Sequence, residues 1–145
     1  MKTTSKSTSE EFVKRSVIKF LSKGKWNKNI EYGSLKDHGV DIKVSNSSYS
    51  RPFLIETKGI SRGRSSAENA FIHSLGQIVT RMKGPKARYY YGLALPSPSA
   101  EKAVRRIPHQ FAVGMCLHVF SVERDGTVTW YKPKDIKKFQ LSQKR

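Results

Sequence analysis

An α/β fold, with a central mixed β-sheet flanked by helices, is what this 145-residue chain predicts. Three observations carry that expectation. An amphipathic stripe at helical spacing lies near the start, short apolar runs bounded by Gly, Pro, Asn and Asp follow it, and further helical segments fall between the later runs. The resulting element order is αβββαβαβ.

Taken in order, residues 1–9 are rich in Ser, Thr and Lys and read as a disordered basic N-terminus. Thr8 with Glu11 fits a capping box, and Val13, Val17, Phe20 and Leu21 form an apolar stripe, so a helix is expected over about residues 9–22, ended by Gly24. A strand is expected over 26–32, followed by a polar connection at 33–38 that holds Asp37 and His38. Next come a strand bearing Asp41, a turn at 45–50, and a strand that Pro52 begins. Residues 67–82 repeat Phe71, Leu75, Ile78 and Met82 on one helical face, and Gly84-Pro85 breaks that helix. Residues 87–95 read as a strand whose tyrosines either pack in the sheet or stack on bases. Ser99 is the expected cap of a third helix stopping before Pro108. Asp125-Gly126 joins two alternating runs, 116–122 and 127–131, in a hairpin. This gives one domain over 10–131 and a basic C-terminal tail over 132–145, expected to be helical in part.

Composition narrows the partners. Lys and Arg number 28 against 11 Asp and Glu, a formal net charge of +17 spread along the whole chain. Such a field attracts polyanions. No long apolar run and no basic amphipathic helix offers itself to a membrane, so nucleic acid is the favoured partner. A lone cysteine, Cys116, and a polar start without a secretory segment point to an intracellular protein, cytoplasmic or nucleoid-associated, or encoded by a phage or mobile element. Cys116 lies among apolar neighbours and reads as a buried structural thiol.

The chemistry concentrates in residues 39–59. Gly39-Val40-Asp41-Ile42 and Phe53-Leu54-Ile55-Glu56-Thr57-Lys58-Gly59 both read as apolar strands carrying charge. Alternation puts Glu56 and Lys58 on one face, with Ile55 and Thr57 on the other. If Asp41 meets Glu56 from a neighbouring strand, two carboxylates share a sheet edge and repel unless a hard cation such as magnesium lies between them. Otherwise Glu56 and Lys58 form an ordinary same-face pair and Asp41 is a surface acid. The basic loop 60–66, with Arg62 and Arg64, is either solvated or placed to meet phosphate. His73, Gln77 and Arg81 recur every four residues. That row matters only if its helix packs beside the strand of Glu56.

With Asp41, then Glu56-Thr57-Lys58, then a helix bearing Gln77, the chain resembles the PD-(D/E)XK nuclease superfamily, which includes restriction endonucleases and archaeal junction resolvases. The resemblance covers about residues 9–121, and Val40 stands where the family's motif has proline. It implies a restriction-endonuclease-like core and a metal-dependent endodeoxyribonuclease using Mg2+, with Mn2+ substituting. Asp41 and Glu56, with Thr57, would hold the ion, and Lys58 would orient water and steady developing charge. Glu11 resembles a first-helix acid that supports the metal in several branches, although it equally reads as a helix cap. Gln77 is similar to a glutamine found after the motif in some branches. DNA is the implied partner. A homodimer fits the cutting of two strands, and a targeting protein fits a core with little chain left for reading sequence. The competing expectation, from charge alone, is a basic nucleic-acid-binding module without catalysis.

Overall fold

The computed structural model describes residues 7–23, 29–32, 42–45, 51–61, 63, 65–82, 84 and 89–143. Gly24, residues 33–38 with Asp37 and His38, Asp41, residues 46–50, Arg62, Arg64 and Pro85 lie outside the described residues. The elements are α1 (Glu10–Ser22), β1 (Asn29–Tyr32), β2 (Ile42–Ser45), β3 (Phe53–Thr57), α2 (Ser66–Val79), β4 (Tyr90–Pro96), α3 (Ser97–Arg106), α4 (His109–Met115), β5 (Leu117–Val122), β6 (Val128–Tyr131) and α5 (Pro133–Gln143). The six strands form one sheet in sequence order. β3, β4 and β5 are mutually parallel, and the β1–β2, β2–β3 and β5–β6 pairs are antiparallel. The chain is thus α/β, with a mixed open sheet flanked by helices.

Two apolar layers cover the two faces of the sheet. On one face α1 buries Val13, Val17 and Leu21 over Ile42, Val44, Phe53, Ile55 and Phe120. The four-residue recurrence of those three side chains makes the stripe that the sequence predicts. On the other face α2, α3, α4 and α5 enclose Leu93, Leu95, Leu117 and Val119. The parallel steps from β3 to β4 and from β4 to β5 need crossovers, which α2 and then α3 and α4 supply. Strand residues at the centre are therefore covered on both faces, and β3, β4 and β5 show almost no exposed position.

The details follow the expectations in some places and depart from them in others. Ser9, not Thr8, caps α1: its hydroxyl accepts the Phe12 N–H at 3.0 Å. Thr8 instead exchanges two main-chain hydrogen bonds with Ile60, each 2.8 Å. α3 begins at Ser97 rather than after Ser99, because Pro96 is still extended (φ −57°, ψ 151°) and Pro98 is tolerated in a first turn whose N–H groups lack helical partners. Ser99 is spent elsewhere, its buried hydroxyl donating to the Ala67 carbonyl at 2.7 Å and tying α3 to α2. The tail expected over 132–145 is largely helical: α5 buries Ile136 completely, and the Gln140 amide donates to the Val104 and Ile107 carbonyls at the end of α3. The tyrosine run belongs to the packing, with Tyr91 fully buried and Tyr90 half-buried against Phe53 and His118. Cys116 is half-buried in the left-handed region (φ 55°), closing α4, and the Arg51 guanidinium donates to its sulfur at 3.5 Å. Among the described residues, no helix is long and apolar enough to cross a membrane.

Candidate functional site

Chemistry-bearing side chains enter the fold along β3. Its five residues are all buried, and Glu56 is 3% exposed. Alternation sends Leu54 and Glu56 toward the α2 layer, and Phe53, Ile55 and Thr57 toward α1. A carboxylate so far removed from water is costly unless cations or donors compensate it. Two residues beyond α2, Arg81 brings its Nε to 3.6 Å from Glu56 Oε2. The pairing exists because α2 runs back along β3 and β4, with Phe71 and Ile78 buried at its inner side.

The row of His73, Gln77 and Arg81 therefore runs along α2 and into the turn after it, beside the strand of Glu56. Its ends do different things. Arg81 meets Glu56, while His73 lines a cleft with Lys58 at the carboxyl end of β3. Gln77 is exposed between them, and its main-chain carbonyl accepts the Thr80 hydroxyl at 2.6 Å.

The cleft, about 470 Å³, is lined by Glu10, Lys58, Ser65, Asn69 and His73. Its position follows from one close approach. A Cβ on Gly59 would lie 2.3 Å from the Thr8 carbonyl oxygen and 2.5 Å from the Glu10 nitrogen, so only glycine lets the start of α1 rest on the end of β3. The Thr8–Ile60 bridge holds that junction, and the Ser61 N–H donates to the Ser66 hydroxyl at 2.7 Å, bringing the start of α2 to the same end of the sheet. The carboxyl ends of parallel strands are where open α/β sheets leave a crevice for ligands. Here an ammonium, an imidazole, an amide and hydroxyls stand opposite one carboxylate, Glu10. Donors of that kind suit an anion.

The residues expected from the sequence are distributed as follows. Glu56 and Lys58 leave the same strand, two positions apart, Glu56 beneath α2 and half-buried Lys58 in the cleft. Thr57 is fully buried on the α1 side, its hydroxyl 3.5 Å from Glu10 Oε2, and so is separated from the Glu56 carboxylate by the sheet. Glu11 does not line the cleft: its side chain is 67% exposed and 3.9 Å from Arg15. The α1 acid that reaches β3 is Glu10. Two adjacent acids at a helix start differ by about 100° in direction, and nothing in the local sequence separates them. Asp41 is outside the described residues; the β2–β3 register is described up to Ile42 opposite Ile55. Among the described residues no three His, Cys, Asp or Glu side chains form a cluster able to hold a metal.

No protein-family model, no curated protein and no solved structure matches this chain.

Proposed function

We propose that the chain is a metal-dependent nuclease that hydrolyses DNA phosphodiester bonds, most simply as an endonuclease of the PD-(D/E)XK kind. One observation carries this reading: in a chain of net charge +17, a carboxylate is buried to 3% exposure on β3, and two residues later, just past the end of the strand, Lys58 lines a donor-rich cleft. A core carboxylate is an expensive feature to maintain for stability alone.

The described register ends with Ile42 opposite Ile55, and one further antiparallel step would set Asp41 opposite Glu56. Holding Mg2+ requires that count to continue by one step, so that Asp41 and Glu56 supply its oxygens. Oxygen donors of this type suit a hard divalent ion. The ion would supply Lewis-acid charge at the phosphate and lower the pKa of a water molecule. The chain's own groups do the rest. Lys58 steadies negative charge developing on the phosphate, while Asn69 and His73 offer donors to its remaining oxygens. Glu10 is the α1 acid available to this end of β3, in place of Glu11.

The competing reading, a nucleic-acid-binding module without catalysis, is favoured by the Arg81 guanidinium beside Glu56, which supplies a positive charge where an ion would otherwise be needed. Purified protein incubated with plasmid and oligonucleotide DNA, in Mg2+ or Mn2+ and in EDTA, separates the two. Nicking that requires the metal and is lost in Asp41→Ala and Lys58→Ala, with the fold intact by circular dichroism, is the expected result. Absence of any metal-dependent cut, or undiminished cutting by both variants, would leave the binding module.

A further inference from the structure

Away from the cleft, the outer side of α1 carries a second feature. Arg15, Lys19 and Lys23 recur every four residues and line one wall of a groove of about 610 Å³, with Phe12 and Phe20 beside them. The opposite wall is the β5–β6 turn, Asp125 to Val128. All three cationic side chains are on exposed residues. Lys23 keeps helical backbone angles at the end of α1 (φ −80°, ψ −13°), so the row rises by about 6 Å per step along the helix, turning by about 40° each time. That step is comparable with the separation of successive phosphates on a nucleic-acid strand.

The fit is set by charge as well as spacing. Facing the row, Asp125 is held ionised by the Thr127 N–H on its carboxylate at 2.9 Å, which keeps its pKa below the usual carboxylate range. Glu11 lies 3.9 Å from Arg15. Lys19 and Lys23 thus carry most of the groove's positive field, and Asp125 keeps an anion toward the α1 wall. The turn is seated against α1, since a Cβ on Gly126 would be 3.7 Å from Ser16 Oγ and 3.8 Å from Phe12 Cζ. Phe12, which lines this groove, is two residues from Glu10, which lines the cleft.

We propose that this groove is a track for a nucleic-acid phosphate backbone, with Lys19 and Lys23 as its main contacts and Arg15 at the end nearer the cleft. The track rests on the nucleic-acid reading above and deepens it by assigning where the strand runs. Its contacts are to phosphate, so binding is independent of base sequence and strongly dependent on salt.

The test is fluorescence anisotropy with labelled single-stranded and duplex oligonucleotides in EDTA, so that cutting plays no part. Lys19→Glu/Lys23→Glu is compared with Lys137→Glu/Lys138→Glu on α5, a change of equal charge at exposed positions outside the groove. The expected result is a loss of at least about tenfold in affinity for the α1 variant, with the slope of log affinity against log salt reduced by about 2. The α5 variant should change several-fold less. Equal losses in both variants would mean a diffuse field and overturn the track, as would unchanged binding by the α1 variant. Polyglutamate displacing oligonucleotide at equal charge concentration would assign the groove to acidic peptide and also overturn it. If the track fails while metal-dependent cutting still depends on Asp41 and Lys58, the nuclease reading stands by itself. A wild-type protein that binds neither oligonucleotide at low salt removes both.

Discussion

The Nε of Arg81 lies 3.6 Å from Oε2 of Glu56, joining the turn after α2 to the middle of the sheet. The carboxylate is almost fully buried and the arginine side chain is 32% exposed, so one partner depends on the pair far more than the other. Arg81→Ala should therefore destabilise the fold by about 2 kcal/mol, less than for a wholly buried pair because water reaches the guanidinium. If Glu56 holds a divalent ion, millimolar Mg2+ should raise the melting temperature of Arg81→Ala by more than that of the wild type, because the ion then replaces a lost positive charge. Calorimetry with and without Mg2+ measures both. Equal Mg2+ responses would count against an ion at Glu56.

Glu10 and Glu11 offer a direct comparison of neighbours. Glu11 contributes an exposed pair with Arg15, and Glu11→Ala should cost no more than about 0.5 kcal/mol and leave cleavage unchanged. Glu10 lines the cleft and meets Thr57 across the α1–β3 junction. Glu10→Ala should lower metal-dependent cleavage by about tenfold or more while the protein still binds DNA in EDTA. Initial rates of plasmid nicking decide the comparison, and a larger loss in Glu11→Ala would reassign the acid.

At Gly59 a methyl group has nowhere to go. Its nearest neighbours would be main-chain atoms of Thr8, Ser9 and Glu10, at 2.3 to 2.7 Å, and none of these can swing aside as a side-chain tip can. Gly59→Ala should force α1 away from β3 and cost about 3 kcal/mol or more in urea denaturation, with the Thr8–Ile60 bridge lost. Substitution at Gly76, where a Cβ would meet nothing within 4 Å, is the control and should be neutral or slightly stabilising.

What could be read beforehand follows from the range of the forces involved. The stripe of Val13, Val17 and Leu21, the apolar run into Glu56 and the Asp125-Gly126 turn are local patterns, and each appears in the structure where the pattern puts it. α4 was not expected, because seven residues containing Gly114 carry too little periodicity to stand out. α5 was legible only as a partly helical tail: Ile136 and Phe139 face the core among many lysines, and the decisive contact, Gln140 on the α3 carbonyls, is a tertiary one. At the site, the four-residue row His73, Gln77 and Arg81 was visible, but the contact of Arg81 with Glu56 depends on how α2 and the turn after it lie across β3. The cleft depends on main chain approaching Gly59, which no side-chain pattern encodes.

His118 makes stability depend on acid. It lies on β5 among Phe53, Tyr90 and Trp130, 8% exposed, and its Nδ1 accepts the Trp130 indole N–H at 2.9 Å. Burial, with a smaller contribution from the charge of Lys132, pushes its pKa down from 6.5 to about 3. Asp135 opposes the shift. The folded protein therefore keeps the imidazole neutral where the unfolded chain takes up a proton. Below pH 6.5 the unfolded state binds the extra proton and gains, so stability falls as the pH drops toward 3, while above 6.5 this group adds no pH dependence. At pH 4.5 the loss relative to pH 7 should be on the order of 2–3 kcal/mol. His118→Phe removes the titrating group and suits the aromatic surroundings, although it leaves the Trp130 N–H without its acceptor, at about 1 kcal/mol independent of pH. Urea midpoints measured from pH 7 to pH 4 should converge and then cross between about pH 6 and pH 5, the wild type being the less stable protein below the crossing. Parallel curves for the two proteins would show that His118 takes up its proton as readily folded as unfolded.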